Sequence, residues 1–122
     1  MRLTVTGGGT GGHVFPALET AKAARELGWQ VEYLGSVRGQ ELAACAKAGM
    51  PFVGFPSQPL VKPLSIQGAK TLVLMVKAIQ MAVRRLSESR PDVVLTMGGY
   101  SSAPVITAAK RLKIPLVVHE QN

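Results

Sequence analysis

The protein has 122 residues, of which 14 are Lys or Arg and 7 are Asp or Glu, so its formal net charge at pH 7 is +7. This length allows one compact domain or one lobe of a larger protein. An apolar content of 47% with 17% charged residues excludes a disordered chain. The apolar runs are far shorter than the roughly 20 residues of a spanning helix, and Met1-Arg2 leads directly into a strand pattern rather than a signal peptide. A single cysteine, Cys45, excludes an internal disulfide, and we expect a soluble protein of a reducing compartment.

The excess of positive charge is concentrated in the middle of the chain. No Asp or Glu lies between Glu41 and Glu88, whereas that stretch contains Lys47, Lys62, Lys70, Lys77, Arg84 and Arg85. Its only aromatic residues are Phe52 and Phe55, fewer than a nucleic-acid surface would need for stacking on bases. We therefore expect an anionic membrane surface or a phosphate-bearing ligand, and not nucleic acid, as the acidic partner.

Strand and helix patterns alternate along the chain. Strands are predicted at residues 2–6, 31–34, 52–55, 93–96 and 115–119, and helices at 16–27, 40–48, 66–86 and 103–112. Gly28 and Gly49 are typical helix ends, and Ser101 or Ser102 is a typical cap. This order predicts an α/β fold with a Rossmann-like parallel sheet covered by helices on both faces. Because the chain stops where another helix would follow the fifth strand, we expect a fragment or one lobe of a two-lobed protein.

A glycine-rich loop follows the first predicted strand, at residues 7–13 (Gly-Gly-Gly-Thr-Gly-Gly-His). Glycines let backbone amides approach a ligand, and the helix N-terminus behind them favours phosphate. The dinucleotide pattern G-x-G-x-x-G is present, but Leu34-Gly35-Ser36 stands where that pattern needs an acid after strand two. No Gly-Lys-Ser/Thr follows, so a Walker loop is excluded. A tight turn without a ligand is the alternative.

A second glycine loop, residues 97–104, follows strand four and should lie beside the first at the same sheet edge. Two such loops can hold a diphosphate through backbone amides and serine hydroxyls. Residues 35–39 form a third, weaker candidate, in which Arg38 is either a phosphate or headgroup contact or a solvated charge.

His13 is a candidate general base, because an imidazole can remove a proton near neutral pH, or else it braces the loop by hydrogen bonding. The polar run His119-Glu120-Gln121-Asn122, at the end of strand five, should face the same crevice.

The long predicted helix has two distinct faces when projected at 100° per residue. We expect Leu72, Val76, Ile79 and Val83 to face the sheet. The opposite face mixes basic and apolar residues, as surfaces that seek anionic lipid do, and consists of Lys70, Leu74, Lys77, Met81, Arg84 and Arg85. Leu60, Val61 and Leu64 could extend this surface. An ordinary helix packed beside a second lobe is the alternative.

Four segments together resemble a known family: residues 8–16, Gly35-Ser36 with Glu41, Pro91-Asp92-Val93-Val94 leading to Gly98-Gly99-Tyr100, and residues 119–122. In order and spacing they are similar to the MurG family of peptidoglycan-precursor N-acetylglucosaminyltransferases, over essentially the whole chain. The resemblance implies a two-lobed GT-B enzyme that needs no metal or cofactor. Such an enzyme transfers GlcNAc from UDP-GlcNAc to undecaprenyl-diphosphate-linked lipid I, giving lipid II, at the cytoplasmic face of the bacterial cell membrane.

The resemblance also implies that residues 1–122 are the N-terminal, acceptor-side and membrane-side lobe, truncated after strand five and lacking the C-terminal donor lobe. Donor contacts are implied for Thr10, Gly11, Gly12 and Asn122. Acceptor or diphosphate contacts are implied for Gly9, His13, Gly98, Gly99, Tyr100, Ser101 and Glu120. His13 becomes the better candidate base. The expected partners are UDP-GlcNAc, lipid I, anionic inner-leaflet lipids and the missing lobe, and the lobe alone is not expected to be active.

Two other functions remain open from the residues. One is a nicotinamide- or flavin-binding oxidoreductase lobe, which the missing acid after strand two disfavours. The other is a non-catalytic membrane-docking subunit of a split glycosyltransferase.

Overall fold

The computed structural model describes residues 1–8, 11–56 and 66–119. The helices are α1 (Gly11–Glu26), α2 (Glu41–Ala48), α3 (Ile66–Ser89) and α4 (Ala103–Arg111), with a short 3-10 turn (Tyr100–Ser102) before α4. The strands are β1 (Arg2–Thr6), β2 (Gln30–Ser36), β3 (Phe52–Phe55), β4 (Val93–Thr96) and β5 (Leu116–Val118).

The five strands form one sheet in the order β3-β2-β1-β4-β5, and every neighbouring pair is parallel. Thr6 at the end of β1 is level with Leu34 of β2 and Thr96 of β4. The segments after β1, β2 and β4 therefore leave the sheet along one edge, where ligands bind in open α/β sheets.

Two apolar clusters cover the two faces of this sheet. One contains Leu3, Val5 and Tyr33 with α1 and α2 residues such as Ala17 and Cys45. The other joins strand residues to α3 and α4, and contains Leu34, Phe55, Ala78, Ala82, Leu86, Val94, Val105, Ala108 and Ala109. The predicted parallel sheet with helices on both faces is confirmed.

Helix α1 begins five residues earlier than predicted. Proline at 16 is typical of a first helical turn, but the pair Gly11-Gly12 is already helical and Pro16 lies inside the helix. As a result, His13 is in the first turn of α1, directly after the glycine loop.

The predicted buried face of α3 is partly wrong. Leu72 and Val76, expected to face the sheet, are exposed, whereas Ile79 and Val83 are half-buried. The fully buried row is instead Thr71, Ala78, Ala82 and Leu86. Its small alanines pack with Val105, Ala108 and Ala109 of α4. Contact with α4, which the helix pattern alone does not contain, therefore rotates the larger apolar side chains into solvent.

Candidate functional site

The turns after β1 and β4 lie directly against each other. The Gly8 N–H donates to the Gly98 carbonyl (3.2 Å), and the Met97 N–H donates to the Thr6 carbonyl (2.9 Å). Gly98 and Gly99 have φ of 89° and 90°, a left-handed conformation that favours glycine. A Cβ on Gly99 would stand 2.0 Å from the Gly8 carbonyl oxygen. Glycine at 99 is thus required both by its backbone angle and by the close approach of the two turns.

Some amides of these turns are bonded within the protein, which limits the expectation that the two loops hold a diphosphate through their backbone amides. The Gly8 N–H is bonded to Gly98, the Gly98 N–H donates to Thr96 Oγ1 (3.1 Å), and the Ser102 N–H donates to the Gly99 carbonyl (3.2 Å). The groups suited to a ligand are those that open a helix, since first-turn N–H groups have no acceptor within their own helix. At this edge they belong to the first turn of α1, which begins at Gly11, and to the start of the 3-10 turn.

The imidazole of His13 lies beside the second turn. A Cβ on Gly98 would be 3.5 Å from His13 Cδ2 and 3.7 Å from Nε2. The side chain is half-buried, so one side of the ring contacts protein and part of it reaches solvent. The structure therefore brings together two predicted site residues, His13 and Gly98, that are far apart in the sequence.

The two serines of the 3-10 turn have different surroundings. Ser102 Oγ donates to the Gly98 carbonyl (2.6 Å) and stabilises the second turn. Ser101 is fully buried, and its Oγ would be 2.5 Å from a Cβ on Gly8. The Ser101 hydroxyl therefore lies against the first turn and is closed to a ligand in this structure, contrary to the expectation that serine hydroxyls of the second loop contact a diphosphate.

Two buried polar residues beneath the first turn were not among the predicted site residues. The Tyr33 hydroxyl donates to the Gly7 carbonyl. The Glu41 carboxylate accepts a hydrogen bond from the Ser36 N–H (3.1 Å). Burial, together with the nearby Glu41 charge, raises the pKa of Tyr33 above its usual value, so the phenol remains a donor. The sequence signal that could have identified Glu41 is the glycine spacing before it, Gly35 and Gly39.

The third candidate loop is less distinctive. Ser36 is buried and its Oγ accepts from the Arg38 N–H (3.0 Å), while the Arg38 side chain is exposed.

Several predicted site residues lie outside the described residues: Gly9, Thr10, Leu60, Val61, Leu64, Glu120 and Asn122. For Gly11, Gly12 and Tyr100 the backbone alone is described. His119, the last described residue, is tied to the same edge by its N–H, which donates to the Thr96 carbonyl (2.9 Å).

The exposed side of α3 differs from its predicted composition. Lys70, Lys77, Met81 and Arg84 are exposed and Leu74 is half-buried. An adjoining apolar row, Leu72, Val73 and Val76, is 44%, 55% and 54% exposed. Together these eight residues form what we name the α3 surface. No helix within residues 1–8, 11–56 and 66–119 is long and apolar enough to cross a bilayer.

Arg85 does not share this surface, contrary to the helical projection. Its guanidinium turns toward β2 and bonds Glu32 through Nη2 (2.6 Å) and Nε (3.0 Å). The hydrogen bonds to Glu32, together with its negative charge, raise the pKa of the Arg85 guanidinium above its ordinary value. The projection missed the pair because the partner lies on a strand 53 residues away.

Comparisons with known proteins agree with this architecture. Residues 3–122 match the glycosyltransferase family 28 N-terminal domain. The chain is 44% identical, over its whole length, to the UDP-N-acetylglucosamine–N-acetylmuramyl-(pentapeptide) pyrophosphoryl-undecaprenol N-acetylglucosamine transferase of Levilactobacillus brevis, and covers 34% of that protein. It is thus about a third of the length of this relative.

Solved structures of glycosyltransferases have the same fold as this chain. Acinetobacter baumannii MurG superimposes with a TM-score of 0.85 and 32% identity, covering 99% of this chain and 35% of that one. The Streptomyces sp. SF2575 glycosyltransferase SsfS6 superimposes with a TM-score of 0.70 at 22% identity, covering 98% and 39%, and supports the fold alone. The predicted fold class, a Rossmann-like lobe of a GT-B glycosyltransferase, is confirmed.

Proposed function

Since the chain belongs to the glycosyltransferase family 28 N-terminal domain family, we propose that it is the acceptor-side and membrane-side lobe of an enzyme that makes lipid II. The proposed reaction transfers GlcNAc from UDP-GlcNAc to lipid I, the undecaprenyl-diphosphate-linked muramyl pentapeptide. The observation that carries the proposal is the contact between the turns after β1 and β4, at the edge where two helix N-termini meet. The chain covers only 34% of its relative from Levilactobacillus brevis. A C-terminal lobe in the remaining part of such a protein would bind most of the UDP-GlcNAc donor.

In this proposal the helix-opening amides hold the acceptor diphosphate. The first turn of α1 and the 3-10 turn before α4 each present N–H groups and the positive end of a helix, and both features stabilise phosphate oxygens. Gly98 and Gly99 let this backbone approach the ligand closely, with Gly9, Tyr100 and Glu120 completing the acceptor site. Thr10, Gly11, Gly12 and Asn122 would contact the sugar side of UDP-GlcNAc.

The reaction is an inverting displacement. The attacking hydroxyl of the muramyl sugar loses its proton, its oxygen bonds to the anomeric carbon of GlcNAc, and the bond from that carbon to UDP breaks. His13 would accept the proton, because its half-buried ring lies beside the second turn, within the proposed acceptor site. Holding both substrates in line supplies much of the rate enhancement, and the missing lobe would stabilise the UDP leaving group.

The α3 surface is the proposed membrane contact, at the cytoplasmic face of the cell membrane. Lys70, Lys77 and Arg84 follow one another at intervals of seven residues, so they form one row along the helix. The exposed Leu72, Val73 and Val76 lie beside it. A basic row attracts anionic headgroups and an apolar row inserts among them. This contact would place the acceptor site near the bilayer in which lipid I is anchored.

The direct test is a transfer assay with the intact protein that contains this chain. Radiolabelled UDP-GlcNAc and a short-chain lipid I analogue should give labelled lipid II, and an analogue with a monophosphate in place of the diphosphate should react far more slowly. No labelled product from the intact protein would refute the proposed function.

A further inference from the structure

Glu41 is a buried acid at the centre of the three strand-end loops. It opens α2, yet its side chain is fully buried rather than solvated. Its Oε2 accepts a hydrogen bond from the Ser36 N–H (3.1 Å). Burying a carboxylate costs free energy unless hydrogen bonds and local dipoles compensate. Since an apolar residue would fill the same space at a lower cost, the acid itself needs an explanation.

Three glycines make room for this carboxylate. A Cβ would stand 2.0 Å from Oε2 at Gly8, 1.9 Å from Oε1 at Gly39 and 2.7 Å from Cγ at Gly35. None of the three is among the positive-φ glycines of the described residues, which are Gly28, Gly49, Gly98 and Gly99. Their backbones would therefore accept alanine without strain. At Gly35 and Gly39 the position of the Glu41 side chain excludes a methyl group, and at Gly8 the Ser101 hydroxyl excludes it together with Glu41.

The carboxylate thereby joins segments that follow different strands. Gly8 follows β1, whereas Gly35, Ser36 and Gly39 belong to the end of β2 and the loop after it. Gly8 is also adjacent to the buried Ser101 Oγ and is bonded to Gly98, both of which follow β4. A shift of the Glu41 carboxylate would be transmitted through Gly8 to the contact between the two turns.

We propose that Glu41 is a positioning residue for the two glycine turns, and that its carboxylate sets where Gly8 stands relative to Gly98 and Ser101. This inference rests on the proposed function, because it assigns Glu41 to the geometry of the same acceptor site. Glu41 itself would touch neither substrate. The expected signature is a fall in kcat/KM for the lipid I analogue that is larger than the loss of stability explains.

A double-mutant cycle tests this coupling in the intact protein. Gly39→Ala puts a methyl group where Oε1 now stands, so it should lower kcat/KM for the lipid I analogue at least tenfold. In a Glu41→Ala background that methyl group meets no carboxylate, and the same substitution should change kcat/KM less than twofold. Glu41→Gln, which keeps the shape and an acceptor oxygen for Ser36, should retain more activity than Glu41→Asp, which is one methylene shorter.

Cys45→Ala is the matched control, because Cys45 is one turn further along α2 and is also fully buried. It should lower the melting temperature yet leave kcat/KM within twofold of the wild type. The proposal is overturned if Gly39→Ala is equally harmful with and without Glu41, or if Cys45→Ala lowers kcat/KM as much as Glu41→Ala does.

A readout independent of transfer separates this proposal from the proposed function. In ¹H–¹⁵N NMR spectra of the 122-residue chain, Glu41→Gln should shift the amide signals of Gly8, Gly98 and Ser101, whereas Cys45→Ala should leave them in place. Unchanged signals in Glu41→Gln would refute the positioning role even if the wild-type protein is active. An inactive wild-type protein would refute the proposed function alone.

Discussion

The strand-end edge and the α3 surface are built in opposite ways. At the edge, backbone meets backbone: Gly8 bonds Gly98, Tyr33 supports Gly7, and buried side chains fill the space beneath. On α3, large apolar and basic side chains stand in solvent on a regular helix. Small changes of backbone position should therefore disable the edge, whereas the α3 surface should respond to charge and apolar area in proportion to what is removed.

The largest effect is expected for Gly99→Ala. A left-handed backbone costs a residue with a Cβ about 1–2 kcal/mol, and here the methyl group would also push Gly8 away from the second turn. Transfer activity should fall below detection. Gly28→Ala is the matched control, because Gly28 has φ of 87° and a Cβ there would meet nothing within 4 Å. That variant should lose stability in chemical denaturation and keep its kcat, and equal activity in the two variants would contradict a rigid edge.

His13→Ala should have the next largest effect. Loss of a general base lowers kcat by roughly 10²–10⁴-fold, with little change in KM for the acceptor. His13→Gln distinguishes a general base from a residue that only supports the loop by hydrogen bonding, because glutamine can form hydrogen bonds but cannot take up the proton. Steady-state kinetics should show both variants equally slow. A glutamine variant with near-wild-type kcat would make His13 a brace of the turn.

The α3 surface should respond to charge more gradually. Replacing Lys70, Lys77 and Arg84 by Gln should weaken binding to anionic vesicles by about 1 kcal/mol per charge at low salt, measured by flotation. Replacing Lys110, Arg111 and Lys113 by Gln removes the same charge at the end of α4 and should have little effect. Arg85→Gln should also have little effect, because Arg85 is already paired with Glu32. Equal losses in both triple variants would indicate net charge rather than a defined surface.

The smallest effect concerns stability in alkali. Burial, with a further contribution from Glu41, raises the pKa of the Cys45 thiol to about 12. Because the folded-state pKa is the higher one, this stabilisation is complete below the ordinary thiol pKa and is lost as pH rises toward 12. Cys45→Ala should therefore show a shallower fall in the free energy of unfolding between about pH 9 and 12, measured by urea denaturation. If the free energy of unfolding fell equally steeply with pH in the wild type and in Cys45→Ala, this prediction would be contradicted.

The two regions also differ in how far the sequence predicts them. Glycine loops after strands one and four point to one sheet edge, and the parallel topology alone makes them neighbours, as found. Which amides remain for a ligand could not be predicted, since the Gly8 and Gly98 N–H groups find acceptors only when the turns meet.

The orientation of α3 was less predictable. Its apolar residues occupy more than one side of the helix, and the packing of Ala78 and Ala82 against α4 decides which side is buried. Helical periodicity gives the angle between residues but does not name the partner helix. The buried Glu41 was predictable only in part. The spacing of Gly35 and Gly39 points to it, but Gly8 belongs to another loop that only the fold brings beside it.

The central claim is that the adjoining turns hold the acceptor diphosphate, and a titration followed by ¹H–¹⁵N NMR tests it most directly. Adding a short-chain lipid I analogue to the 122-residue chain should shift the amide signals of Gly12, His13, Gly99 and Ser101, while those at the far end of α3 and in α2 stay unchanged. An analogue lacking the diphosphate should shift them much less. Binding that leaves these four amides unchanged, or that shifts them equally without the diphosphate, would contradict the account.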